Sequence, residues 1–315
     1  MSGTLRRLHA AGAVLAIAAM ALTACGSDFT GVKLTMVTGN ASGVYHKLGG
    51  VLADAWSAQL GIAHPQVVST AGSVDNLERL RTGQADVGFS AADAASDATL
   101  ANRPRKLRAL ARMHDDYLQV VVRADLPARE LAGLKGLRVS IGEPGSGVEF
   151  IAKRLLGSAK ISSDGDLVTR QLGLGDSLTA MRDGTLDAFF WSGGVPTPGV
   201  TNLAESIPLR MLDLSDVLPV LRKQYPVYGS ATLPASAYGL PGGPITTLVV
   251  RNFLLATDAM SDDVAEALVR GIFLAQPELQ KANSAARSIE IRSAIETTPV
   301  DLHPGAARYY RSVKV

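Results

Sequence analysis

Residues 72–90 lie on residues 173–191 without a gap, 101 positions apart. Seven of the nineteen positions agree: Gly72/Gly173, Asp75/Asp176, Leu77/Leu178, Arg81/Arg182, Gly83/Gly184, Asp86/Asp187 and Phe89/Phe190. A chain that repeats a segment at this distance is expected to hold two similar halves. Each copy reads as a helix, a glycine that closes it, and an aspartate that opens a strand. Turn and capping chemistry at that junction is the expected role of Asp86 and Asp187, ahead of any catalytic one.

Both halves also begin alike. In the first, Leu34 to Val37 reads as a strand and Thr38 to Gly43 as a Gly/Ser turn. Apolar residues then recur at 44, 48, 51, 52, 55, 56 and 60, one face of a helix. In the second, Val139 and Ile141 mark a strand and Pro144-Gly145 forces a turn. Positions 148, 151, 152, 155 and 156 give the helix face. Strand, turn, helix is an order that aims free backbone N–H groups, and the Ser146 hydroxyl, at whatever sits above the turn. An anion suits such a place, a carboxylate as readily as a phosphate. An ordinary helix start capped by Ser146 fits the same residues.

Known motifs do not account for this turn. A dinucleotide fingerprint needs a third glycine near Phe150, and a P-loop needs Gly-Lys-Ser/Thr. A nucleophile elbow needs glycine where Pro144 stands. No Ser/His/Asp or paired-carboxylate arrangement stands out, so a hydrolase is disfavoured and no enzyme activity is expected. His46, His64, His114 and His303 show no ligand spacing, so neither a metal site nor a cofactor is expected.

The N-terminus reads as a targeting segment. Arg6-Arg7 precede a short run of small apolar residues from Ala10 to Ala21, then Leu22-Thr23-Ala24-Cys25. That run is too short to span a bilayer comfortably, and the small residues before a cysteine match a bacterial lipoprotein signal. Residues 1–24 are expected to be removed and Cys25, the only cysteine, to be lipidated. The mature chain then has no intramolecular disulfide. The signal also takes two of the 31 basic residues and none of the 29 acidic ones, leaving 29 of each sign. With 5% aromatic residues as well, nothing favours nucleic acid.

After a tether at 25–31, the remaining chain has length and apolar content (47%) for one large or two medium domains. Leu118 to Arg123 reads as a buried strand between the halves. A Pro/Gly-rich stretch, Leu233 to Pro244, precedes a further strand at 245–250 and a helix with apolar positions 264, 265, 268, 269 and 272.

Several stretches carry a family resemblance. They are Gly43-Val-Tyr45, Ala71-Gly-Ser-Val-Asp-Asn-Leu77, Gly83-Gln-Ala-Asp86 leading to Asp93, and Leu134-Lys-Gly136. Val139 to Gly147, Asp187 to Phe190, Ser192 to Thr197 and Leu302-His-Pro-Gly305 complete the set. In order and spacing the chain, from about 32 to 312, resembles the TAXI family of solute-binding proteins, the extracytoplasmic receptors of TRAP transporters. The resemblance implies an α/β, two-lobed periplasmic-binding-protein fold (type II) with two hinge strands, closing over a small carboxylate. It implies a permease as partner, no chemistry by the receptor itself, and a monomer on the extracytoplasmic face of the membrane. A sensor kinase served by the same binding module is the other partner weighed.

On this resemblance, lobe 1 comprises 32–123 and 244–315 and lobe 2 comprises 124–243. The ligand contacts expected are Gly43, Val44, Tyr45, Thr70, Ser73 and Ser90 from the first lobe. From the second they are Ser146, Gly147, Ser192 and Gly194. Trp56 and Trp191 are expected to pack, with Trp191 adjoining the cleft. Two departures stand near the expected ligand: Ala91 where the family commonly has glutamine, and Val148 where it commonly has threonine. Each removes a polar side chain, and a site that loses hydrogen-bonding groups changes its ligand.

Overall fold

The computed structural model describes residues 29–100 and 105–314. The signal segment, Cys25 and residues 26–28 of the tether lie outside the described residues.

The first half runs β1 (Thr35–Val37), α1 (Val44–Leu60), β2 (Gln66–Val68), α2 (Ser73–Thr82) and β3 (Val87–Ala91). Helix α1 covers the residues its periodicity predicts, buries Leu48, Leu52 and Trp56, and ends at Gly61, whose φ of 65° is left-handed. The Trp56 indole N–H donates to the Leu268 carbonyl oxygen at 3.0 Å, so this tryptophan is core. Helix α3 (Ala92–Leu100) follows β3 directly and leads to β4 (Leu107–Arg123).

The second half repeats the course: β5 (Arg138–Ser140), α4 (Gly147–Ser158), β6 (Val168–Arg170), α5 (Leu174–Arg182) and β7 (Ala188–Gly193). Then come α6 (Pro198–Ser206), β8 (Leu209–Met211), α7 (Leu218–Gln224), β9 (Gly229–Leu233) and β10 (Ile245–Thr257). The chain closes with α8 (Asp262–Leu274), α9 (Gln276–Ala282), α10 (Ile291–Ala294) and α11 (Pro304–Ser312).

The strands lie in the order β2-β1-β3-β10-β4-β7-β5-β6, with β8 also on β4 and β9 also on β10. Within each half the pairs are parallel; β10 and β4 run antiparallel to their neighbours. These two strands carry the sheet from one half to the other. β10 pairs with β3 through 252–255 and with β9 through 245–249, and β4 pairs with β7 through 117–122. The passage from lobe to lobe therefore falls near 114–117 of β4 and 249–252 of β10. This is the two-lobed α/β fold the sequence leads one to expect.

Both crossing strands are longer than their sequence signals. β4 begins at Leu107, eleven residues before the expected Leu118, and β10 runs to Thr257, past the expected 250. Leu107, Ala109, Leu110, Ala111 and Met113 are buried, and Arg108 and Arg112 are half-buried. The pairing with β10 shifts register twice here, so small, charged and bulged members mute the apolar signal. Arg112 meets Asp115 through three hydrogen bonds and Glu296 through a fourth, which lets this polar stretch lie in the sheet.

Contacts between the halves hold the cleft nearly closed. The Asp75 N–H donates to the Gly145 carbonyl oxygen at 3.2 Å. Arg154 of α4 pairs with Asp97 of α3 at 2.6 Å, and its guanidinium lies 4.3 Å from the Phe150 ring centroid and 4.0 Å from that of Tyr225. The Tyr228 hydroxyl donates to Oδ2 of the fully buried Asp93 at 2.7 Å. Burial raises the pKa of both groups, and the Asp93 charge raises that of Tyr228 further.

Candidate ligand-binding site

Four helices point their first turns into one cavity between the lobes. Its lining takes Gly43, Val44 and Tyr45 from the start of α1, Gly72 and Ser73 from α2, Ser146, Gly147 and Val148 from α4, and Gly173 and Leu174 from α5. A helix N-terminus carries roughly half a positive charge. Among the described residues lining the cavity there is no lysine, arginine or histidine. The backbone N–H groups at these helix starts are therefore its positive groups, and the Asp116 and Glu143 carboxylates line the same cavity.

The second-lobe turn is tied to its helix by two side-chain bonds. Ser146 Oγ accepts from the Glu149 N–H at 3.0 Å, and Glu149 Oε2 accepts from the Gly145 N–H at 2.8 Å. Ser146 is thus the cap of α4 and keeps its own O–H to donate. The turn folds tightly over the helix. Gly142 sits at φ 95°, and a Cβ there would stand 2.8 Å from the Glu149 nitrogen. Across the cavity, a Cβ on Gly147 would come within 2.9 Å of Ser73 Oγ, so the two helix starts nearly touch.

The first-lobe wall is polar. The Tyr45 hydroxyl donates to Asn252 Oδ1, and its ring stacks on Phe89 at 5.0 Å. Burial raises the Tyr45 pKa well above the ordinary phenol value, and the nearby Asp116 charge adds to this. Ser73 Oγ accepts from the Ala91 N–H at 3.0 Å. Asn76, fully buried, ties the turn to the sheet by donating to the Thr38 and Phe89 carbonyl oxygens.

Of the ten expected contacts, Gly43, Val44, Tyr45, Ser73, Ser146, Gly147 and Ser192 are brought together in the lining. Thr70, Ser90 and Gly194 are not among the lining residues. Thr70 Oγ1 donates to Asn76 Oδ1 at 2.6 Å and accepts from the Gly72 N–H at 3.2 Å, so it shapes the turn behind the wall. Ser90 is fully buried and donates to the Ala91 carbonyl oxygen at 3.1 Å. Gly194 lies behind the lining, where a Cβ would meet Ala285 Cβ at 3.5 Å and Val44 Cγ2 at 3.9 Å. Ala91 and Val148, the two departures, both line the cavity, and so does Trp191.

Sequence reasoning missed Asp116, Glu143 and Asn40. Asp116 lies on β4 where the strand passes between lobes, and its signal was an acidic pair inside a buried alternation. Asp115 faces Arg112, while Asp116, one residue on, faces the cavity. Its Oδ1 is 3.3 Å from Nε2 of the buried His114, out of hydrogen-bond geometry. Glu143 sits beside the start of α5, where a Cβ on Gly173 would stand 2.5 Å from its Oε2. Burial, with Asp176 second, raises the Glu143 pKa above the usual carboxylate value.

The model of the NMT1-like family matches residues 36–313, nearly all of the described molecule. The chain belongs to the NMT1-like family. Solved structures share its fold. One from Bordetella bronchiseptica RB50 is 20% identical, with a TM-score of 0.55 over 89% of each chain. The periplasmic binding protein BugD is 13% identical, with a TM-score of 0.54 over 90% of this chain and 93% of its own. A binding-protein component of an ABC phosphonate transporter from Pseudomonas aeruginosa is 12% identical, with a TM-score of 0.52 over 81% and 80%. Among the described residues, no helix is long and apolar enough to cross a membrane, and no group of three or more metal-ligating side chains comes together.

Proposed function

We propose that this NMT1-like protein is a solute-binding receptor, anchored by lipid at Cys25 on the extracytoplasmic face. It captures a small carboxylate of the amino-acid or 2-oxo-acid class and delivers it to a TRAP-type permease. The observation that carries this reading is the convergence of four helix N-termini on one cleft that holds no cationic side chain. Hydrogen bonds to a charged group contribute about 1.5–3 kcal/mol each, so a few of them reach roughly micromolar affinity after ordering costs. The capacity of the cavity fits as well. At about 90 Å³ the cavity has room for a small solute.

On this reading the two lobes, expected as 32–123 with 244–315 and as 124–243, exchange near 114–117 of β4 and 249–252 of β10, and the two strands flex there. The receptor does no chemistry. TRAP as the partner rests on the TAXI resemblance, and periplasmic neighbours such as BugD support an extracytoplasmic binding role.

A thermal-shift screen of the full-length chain against amino acids, 2-oxo acids and dicarboxylates tests the reading. Ligand that binds only the folded chain raises the melting temperature by mass action, about 2.7 kcal/mol of stabilisation at a hundred times Kd. At least one class is expected to raise it and to compact the chain in small-angle scattering. No response from any class would overturn the reading. Mass measurement of the mature N-terminus checks the anchor, which an unmodified Cys25 behind a retained signal would refute.

A further inference from the structure

Asp116 has no place in a site made only for a carboxylate. It is buried, 7% exposed, and it lines the cavity. Its Oδ1 and both ring nitrogens of His114 have no hydrogen-bond partner. A buried carboxylate needs a partner: the lining side chains include no cation, and His114 Nε2, 3.3 Å away, makes no hydrogen bond with it. Glu143 differs, since its Oε2 already lies against the N-terminal end of α5. Beside Glu143, Ser146 and Ser192, the second-lobe wall carries a hydrocarbon face of Val148, Ile151, Leu172, Leu174, Phe190 and Trp191. Trp191 is held in place by its indole N–H, which donates to Thr197 Oγ1 at 3.0 Å.

We infer that Asp116 receives an ammonium group, and that the solute is an amino acid with a hydrocarbon side chain. Its carboxylate lies toward the helix starts, its ammonium on Asp116, and its side chain against the apolar wall. This rests on the solute-binding reading above and narrows it. A 2-oxo acid of the same skeleton leaves Asp116 unanswered, and a dicarboxylate sets a second negative charge into hydrocarbon. Both are discriminated against, because a site built to bond a group rejects analogues that lack it.

Calorimetry on the full-length chain with four probes tests the inference: L-leucine, 4-methyl-2-oxopentanoate, 3-methylbutylamine and L-glutamate. L-Leucine is expected to bind, with the oxo acid weaker by about a hundredfold or more and glutamate weaker than leucine. Asp116→Asn is expected to weaken L-leucine by about ten- to a hundredfold and to narrow its lead over the oxo acid. A general loss of structure would weaken both probes alike and leave their ratio unchanged, which would count against the role of Asp116. The wild-type panel needs no variant. An oxo acid that binds as well as L-leucine, or glutamate that binds better, overturns the inference and leaves a solute receptor standing. An amine that binds as well as L-leucine removes the carboxylate from the reading. No binding by any probe overturns the inference, and silence across the wider screen takes the receptor reading with it.

Discussion

β1–α1–β2–α2–β3 and β5–α4–β6–α5–β7 follow one plan, yet they face the cleft with different chemistry. In each, the second strand lies outside the first and the third lies inside it. In each, the repeated aspartate closes the same backbone pair. Asp86 Oδ2 accepts from the Thr35 N–H and Asp187 Oδ2 from the Arg138 N–H, both at 2.8 Å. The Asp86 and Asp187 amides return bonds to the carbonyl oxygens of the same two residues at 2.9 Å. The repeat therefore records a scaffold, and its aspartates are joints in that scaffold. The halves part at the first turns of their helices. Where α1 and α2 present Tyr45 and Ser73, α4 and α5 present Val148 and Leu174. A few side chains on a common frame make the first wall polar and add a hydrocarbon face to the second, beside Glu143, Ser146 and Ser192.

The largest expected effect breaks the cleft where two helix starts nearly touch. Gly147→Val places a branched side chain against Ser73, whose Oγ is 2.9 Å from even a single added Cβ. Overpacking of this kind costs about 1–3 kcal/mol, and here it falls on closure, so affinity for the best solute drops by about a hundredfold. Gly175→Ala, on α5 with nothing within 4 Å of its added Cβ, is the control. Calorimetry on the two variants decides, and unchanged affinity in the valine variant would place the solute elsewhere.

The two joints themselves give a smaller and graded effect. Asp86→Ala removes one hydrogen bond to a backbone N–H, worth about 1 kcal/mol, and lowers the melting temperature by about 2–4 °C. Asp187→Ala removes that bond and two more to the Arg138 guanidinium, at 2.9 and 2.6 Å. Arg138 holds the Asp187 pKa below the usual carboxylate value. A larger drop is therefore expected for Asp187→Ala. Equal drops in thermal denaturation would mean that the Arg138 side chain adds nothing.

The smallest effect sharpens the contrast in capping. Ser146 caps α4 with its side chain, whereas Gly43 at the start of α1 has none to offer. Ser146→Ala should cost about 1 kcal/mol through loss of the cap. Urea denaturation should show a lower midpoint with unchanged slope. A loss of solute affinity beyond the effect on stability would show that the Ser146 O–H also touches the ligand.

Much of the scaffold was legible before any coordinates. The apolar spacing in 44–60 and in 148–156 marked two helices, Gly83 closed a third, and the 101-residue offset marked the halves. These signals are local: a helix face repeats every three to four residues, and a tight turn needs glycine wherever it occurs. The helix-start cradle was visible for the same reason, because a turn before a helix frees N–H groups whatever surrounds it.

The walls of the site were decided by pairing across the sheet. Tyr45 meets Asn252 across 207 positions, and Asp116 reaches the cavity because β4 continues unbroken from lobe to lobe. In a strand, neighbouring residues point to opposite faces, so a register one step over would send Asp115 inward and Asp116 to the Arg112 side. Thr70, Ser90 and Gly194 illustrate the same limit, since chain position put them near the cleft while hydrogen bonding and packing turned them behind its wall. By itself, then, the sequence determined the helices, the turns and the two-fold plan, each encoded over a few residues. Only the tertiary structure decided which charge and which hydrocarbon the solute meets, because strand register and lobe closure join residues that no local pattern links.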